Sequence, residues 1–218
     1  MKKAIIIIIL VLLLLLFLVD KKSENSSRIV ETYPWQVSVL ADGKSRIFGI
    51  VLNESALKDV DAILKSTPKM ALFDSDKKLA LEAYYKNVSL GGLIGSFIIT
   101  LDASADVLKK IKNASTKQKR AENNGIRYDL DKPTADSTKS LIVKNLIYLP
   151  TVQLDEKTIV QRFGKPTYKI KLKTKETGWH YLYPEKGLDL IYKEEGKEVL
   201  QYVLPKNINE LLVPLQDH

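Results

Sequence analysis

The stretch that decides the fold is "LDEKTIVQRFGKPTYKIKLKTKETGWHYLYP", residues 154–184. Asp155 is a good N-cap, Glu156 suits the first turn of a helix, and Pro166 forbids the helix to continue. Alternation follows. Tyr168, Ile170 and Leu172 share one side of a strand, while Lys169, Lys171 and Lys173 share the other, which reads as a strand with one wet face. In "GWHYLYP", Trp179, Tyr181 and Tyr183 alternate with His180 and Leu182. A capped helix leading into alternating strands is an α-β-β-β pattern, closed by "KEEGKE" as a hairpin turn.

Working outward, "LNESALKDVDAILKSTPK", residues 52–69, has the same design. Leu52, Asn53, Glu54 and Leu57 match Leu154, Asp155, Glu156 and Ile159, and Pro68 stands where Pro166 does. The spacing predicts a helix capped by Asn53, with Leu57, Val60, Ile63 and Leu64 on one face. "MALF", "LALEAYY" and "LIGSFIITL" read as three strands after it, with Gly91 and Gly92 free to take positive φ in a turn. Before it, Val37–Leu40 and 46–52 are strand-like around the Asp42-Gly43 turn signal. A second helix opens at Asp102 or Ser104, carries Val107, Leu108 and Ile111 on one face and stops near Gly125. "DLDKPTADSTKS" reads as a polar loop, and "LIVKNLIYLPTVQL" as strand interrupted by Pro150. The expected class is α+β: antiparallel sheets with helices on one face, in two tandem α-β-β-β units over roughly 46–101 and 150–204. The alternative is a single α+β domain with two similar helix starts.

The N-terminus has a different character. "MKKAIIIIILVLLLLLFLVDKK" holds an apolar run from Ala4 to Val19 flanked by lysine pairs. As a helix it reaches about 24 Å, and snorkelling Lys21 and Lys22 extend its span towards the roughly 30 Å of a hydrocarbon core. No small-residue cleavage site follows, so residues 1–22 read as a transmembrane anchor, with a cleaved signal sequence as the alternative. The positive flank leaves the N-terminus cytoplasmic. The expected localisation is a single-pass inner-membrane protein with a periplasmic domain, in contact with the bilayer through residues 4–19. The division is 1–22 anchor, 23–34 tether, 35–128 first unit and 129–218 second unit.

Composition narrows the chemistry. The chain has 218 residues, is 45% hydrophobic and 28% charged, and carries +8 net charge and no cysteine. Disulfides, thiol nucleophiles and cysteine metal sites are excluded. The positive charge forms no stripe of the kind that grips nucleic acid, so no nucleic-acid partner is expected. "RIVETYPWQVSVL", residues 28–40, looks like the start of a trypsin-like protease, but nothing else in the chain supplies the histidine and serine stretches of such an enzyme. His180 reads as a packed or hydrogen-bonded strand residue. The pairs Asp74/Asp76 and Asp129/Asp131 read as turn carboxylates, not calcium ligands. "SLGGLIG", residues 89–95, fits turn and strand and no phosphate loop. No catalytic residue, metal ligand or cofactor is assigned.

Two surfaces remain as candidates for partners. Tyr84, Tyr85, Trp179, Tyr181 and Tyr183 form a possible aromatic surface. Lys109, Lys112, Lys117, Lys119 and Arg120, in "LKKIKNASTKQKR", form a basic surface suited to anionic lipid or an acidic protein. The order Phe163-Gly164-Lys165-Pro166, then Trp179 and Tyr181, then a hairpin, resembles the small outer-membrane-assembly lipoproteins of the SmpA/OmlA (BamE) group and the β-lactamase-inhibitor-protein-like fold. That resemblance implies an α+β layer used for protein contact; the lipid-bearing cysteine of those lipoproteins is absent here. The expected function is an envelope protein acting as a non-enzymatic binding or assembly module. The alternative is an envelope hydrolase, or a regulator or inhibitor of an exported enzyme.

Overall fold

Strand pairing decides this architecture more than helix packing does. The computed structural model describes residues 32–75, 78–115, 118–121, 125–173 and 176–216. They lie in one compact unit, Glu31–His218. Three short strands, β1 (Val37–Val39), β2 (Ser45–Ile47) and β3 (Ile50–Val51), make a small antiparallel sheet. Helix α1 (Leu57–Leu64) follows, then β4 (Lys69–Ser75), β5 (Lys78–Leu90), β6 (Leu93–Asp102) and α2 (Ala105–Ala114). Next come β7 (Gln118–Arg120), β8 (Ile126–Asp129), α3 (Lys132–Ser137) and β9 (Ile142–Pro150). The chain continues through α4 (Glu156–Phe163), β10 (Tyr168–Lys171), β11 (Gly178–Tyr183), β12 (Leu188–Lys193), β13 (Val199–Tyr202) and α5 (Asn209–Gln216).

Ten strands form a single antiparallel sheet in the order β10-β11-β12-β13-β9-β6-β5-β4-β8-β7. This overturns the expected α+β class with two tandem units: the described chain is mostly strand. The helix-led stretches at 57–102 and 156–193 feed one sheet, because β9 bonds β6 along one edge and β13 along the other. A strand paired on both edges leaves no seam at which two sheets could part.

The expected anchor, residues 1–22, and the tether up to residue 31 lie outside the described residues. Among the described residues no helix is long and apolar enough to cross a membrane. The single-pass inner-membrane localisation with a periplasmic domain is therefore corrected: the structure gives it no support.

One face of the large sheet holds the core. Leu81, Ala83 and Tyr85 of β5, Phe97 and Ile99 of β6, Leu146 and Tyr148 of β9, and Leu200 and Tyr202 of β13 are fully or almost fully buried there. Phe48 packs against Phe97 and Tyr148, with ring centroids 5.1 and 5.0 Å away. The segment before β1 docks on the same layer. Tyr33 and Trp35 stack at 4.9 Å, Trp35 meets Phe163 edge-on, and the Tyr202 hydroxyl donates to the Pro34 carbonyl at 2.7 Å. The protease-like stretch is thus a structural strap at its described end.

Several local expectations shift. The segment 46–52 is not one strand: Phe48 and Gly49 both take positive φ, in a tight turn between β2 and β3. Helix α1 starts at Leu57, not beside Asn53, which itself sits at φ 60° in the preceding turn. The Asp59 carboxylate accepts from the Ala56 amide at 2.8 Å and so caps the first turn. Helix α2 opens on Ser104 as expected but ends at Ala114, where the Ser115 hydroxyl bonds back to the Ile111 carbonyl. The "polar loop" contains α3, capped by Asp131, whose side chain accepts from the Thr134 amide. Strand β10 keeps its expected alternation, with Lys169 and Lys171 exposed and Ile170 half-buried, although Tyr168 at its start is exposed as well.

Glu198 closes the β12–β13 turn and is fully buried. One carboxylate oxygen accepts from the Leu154 amide at 2.9 Å, and the other has no partner. Burial pushes its carboxyl pKa up. The folded state then holds the proton more tightly than the unfolded chain, so the charge opposes folding at neutral pH. Glu198→Gln is expected to stabilise by about 1 kcal/mol near neutral pH. The gain should fade as pH falls through the raised pKa and vanish below the ordinary value of 4.5. Urea unfolding at neutral and acid pH checks it; a variant less stable at both would refute the assignment.

Candidate binding cleft

The residues proposed as an aromatic surface do not form one. Adjacent strand residues point to opposite faces, so Tyr84 and Tyr85 part company. Tyr85 is fully buried, and its hydroxyl donates to Asp61 at 2.7 Å; burial first, then the Asp61 bond, push its pKa far up. Tyr84 is half-buried on the other face, 3.4 Å from the Ser96 hydroxyl. Tyr181 and Tyr183 are core residues, and the Tyr183 hydroxyl donates to the Gly164 carbonyl at 3.0 Å. Trp179 is half-buried, with the Lys169 ammonium 4.6 Å from its ring centroid. These aromatics chiefly build the sheet's core.

His180 hydrogen-bonds Asp189 through Nδ1 at 2.9 Å, as a packed strand histidine does. Asp189 is almost wholly buried, and burial raises its pKa although the His180 bond opposes this. Asp129 and Asp131 serve ion pairs and a helix cap; Asp76 lies outside the described residues. Among the described residues no group of three or more His, Asp or Glu side chains could hold a metal ion.

The basic residues separate as well. Lys109 is exposed on α2. Lys112 reaches back to Asp74 at 2.6 Å and lies over the Tyr128 ring. Lys117 falls outside the described residues. Lys119 and Arg120 are not helical; they belong to β7, at one edge of the large sheet.

Lys119 leads to the site. A cleft of about 670 Å³ lies between the start of β4, β8 and α3. Its walls carry Lys69 from β4, Lys119 from β7, Arg127 from β8, and Lys132 and Lys139 from α3 and the turn after it. Two carboxylates, Asp129 and Asp136, share the lining. Asp129 accepts from Lys119 at 3.0 Å and from Arg127 at 2.7 Å. Burial would raise its pKa, but these two bonds outweigh it and hold the carboxyl below its ordinary value. Lys139 is turned to Asp61 at 2.6 Å. Lys69 and Lys132 have no ion-pair partner among the described residues. The cleft therefore keeps uncompensated positive charge in a concave site, where field lines concentrate and an anion is favoured.

Sequence reasoning named only Lys119 of this set. Lys69 follows Pro68, Arg127 alternates along β8, and Lys132 and Lys139 lie within what reads as a polar loop. Their convergence depends on β4 pairing with β8, and no spacing in the chain announces that. Compared with protein-family models, curated proteins and solved structures, the chain finds no match, and nothing in these comparisons bears on the resemblance to outer-membrane-assembly lipoproteins.

Proposed function

We propose that this chain is a non-enzymatic binding module that holds anionic groups of a partner in the cleft between β4, β8 and α3. The observation that supports this reading is that five cationic side chains and only two carboxylates line one cleft, with Lys69 and Lys132 left without an ion-pair partner among the described residues. Such a site favours carboxylates or phosphates and needs no chemistry of its own. His180 plays no part in it, being held by Asp189 away from the cleft lining.

Titration calorimetry with hexaglutamate or tripolyphosphate tests the reading. Binding should weaken steeply with salt, since the contacts are screened charges. The double variant Lys69→Ala/Lys132→Ala should lose about tenfold in affinity, the equivalent of about 1.4 kcal/mol, with an unchanged fold by circular dichroism. Salt-independent binding, or affinity untouched by the double variant, would remove the cleft from the function.

A further inference from the structure

The basic cleft does not end at its charged walls. A second hollow opens beside it, lined by Ala114, Ser115, Lys119, Asp129, Leu130, Asp131 and Thr134, with Asp131 already engaged as the cap of α3. It shares Lys119, Asp129 and Leu130 with the cleft. Beyond it lies a third hollow of about 490 Å³ between α2 and α3, which shares Ala114 and Thr134. This one is mostly apolar: Val107, Ile111, Pro133 and Leu141 line it, beside Lys110, Ser137 and Thr138. Val107 is 38% exposed there, although it was expected on the apolar face of its helix. Through these shared residues the three hollows adjoin as a trough, cationic at one end and mostly apolar at the other.

Resting on the anion-binding reading above, we infer that the trough takes an extended acidic polypeptide segment of a partner protein, anchored by one large apolar side chain between α2 and α3. Charge complementarity selects acidic residues for the cleft. The apolar end has the size of an ordinary ligand pocket and suits an anchor residue, the usual centre of affinity in a protein contact. A free inorganic anion fills only the basic end and leaves Val107 uncovered. The sheet edges are poor alternatives, because the edge strands β7 and β10 carry Lys119, Arg120, Lys169 and Lys171, and edge lysines discourage strand addition.

Fluorescence polarisation with the full chain tests this, using labelled hexaglutamate with and without one terminal phenylalanine. The phenylalanine peptide is expected to bind about tenfold more tightly. Val107→Asp should abolish that increment and leave hexaglutamate binding within about twofold. Lys69→Ala/Lys132→Ala should weaken both peptides alike. Hexaglutamate binding with no gain from phenylalanine would overturn the anchored-segment inference while the anion cleft stood. Binding of neither peptide would remove both. Binding to phosphatidylglycerol vesicles, with neither peptide bound, would overturn the inference in favour of a lipid surface.

Discussion

Tyr202→Ala is expected to cost about 3–5 kcal/mol, the range for removing a large aromatic from a core. Tyr202 is fully buried on β13, and Phe48 lies 6.4 Å from its ring. Its hydroxyl donates to the Pro34 carbonyl across 168 residues of sequence. Truncation therefore opens a cavity and unties the strap that carries Trp35 onto Phe163. Tyr202→Phe separates the two losses. It keeps the ring and deletes only the bond, leaving the buried Pro34 carbonyl without its donor, for about 1–3 kcal/mol. Chemical denaturation measures both. If the Phe variant matched the parent while Trp35 fluorescence stayed unchanged, the hydroxyl would not hold the strap.

The second large effect is expected at Gly95. This residue lies in β6 opposite Pro150, and a Cβ there would fall on the ring of Tyr148. The ring cannot retreat easily, since Phe97 sits 4.9 Å from it and Phe48 5.0 Å. Gly95→Ala should cost about 1–3 kcal/mol by overpacking. Tyr148→Leu removes the obstacle, so adding Gly95→Ala to that variant should cost almost nothing further. The double-mutant cycle should then show coupling of about 1–3 kcal/mol. Additive losses would mean that Gly95 matters for its backbone and not for the space it leaves.

Gly95 also marks how far a linear reading goes. In "SLGGLIG" the first two glycines are legible: Gly91 and Gly92 take φ of 58° and 82° between β5 and β6, as a tight hairpin requires. Gly95 carries no such local sign, because its reason is an aromatic ring from β9. The same contrast holds elsewhere. Asp155 and Ser104 cap helices where expected, and Gly164 ends α4, since a cap needs only residues within one turn. Asn53 misleads because a good cap residue is also a good left-handed turn residue, and here the turn between β3 and α1 takes it. Alternation in β10 is read correctly: Lys169 and Lys171 are exposed and Ile170 is half-buried. Period two separates faces; only a packed layer says which face it covers.

The candidate site divides in the same way. The basic stretch at 108–120 stands out as local charge density, yet the structure sends Lys112 to Asp74 and keeps Lys119 for the cleft. The remaining cations come from separate strands and a short helix. For this protein the sequence alone determined the caps at Ser104 and Asp155, the Gly91-Gly92 turn and the strand alternation, because those obey forces acting over a few neighbouring residues. The tertiary structure decided that ten strands join one sheet, that Tyr85, Tyr181 and Tyr183 face inward, and that Lys69, Lys119, Arg127, Lys132 and Lys139 meet. Those outcomes rest on pairings between distant strands, such as β9 with β13 and β4 with β8, whose partners are chosen by the burial of the whole core.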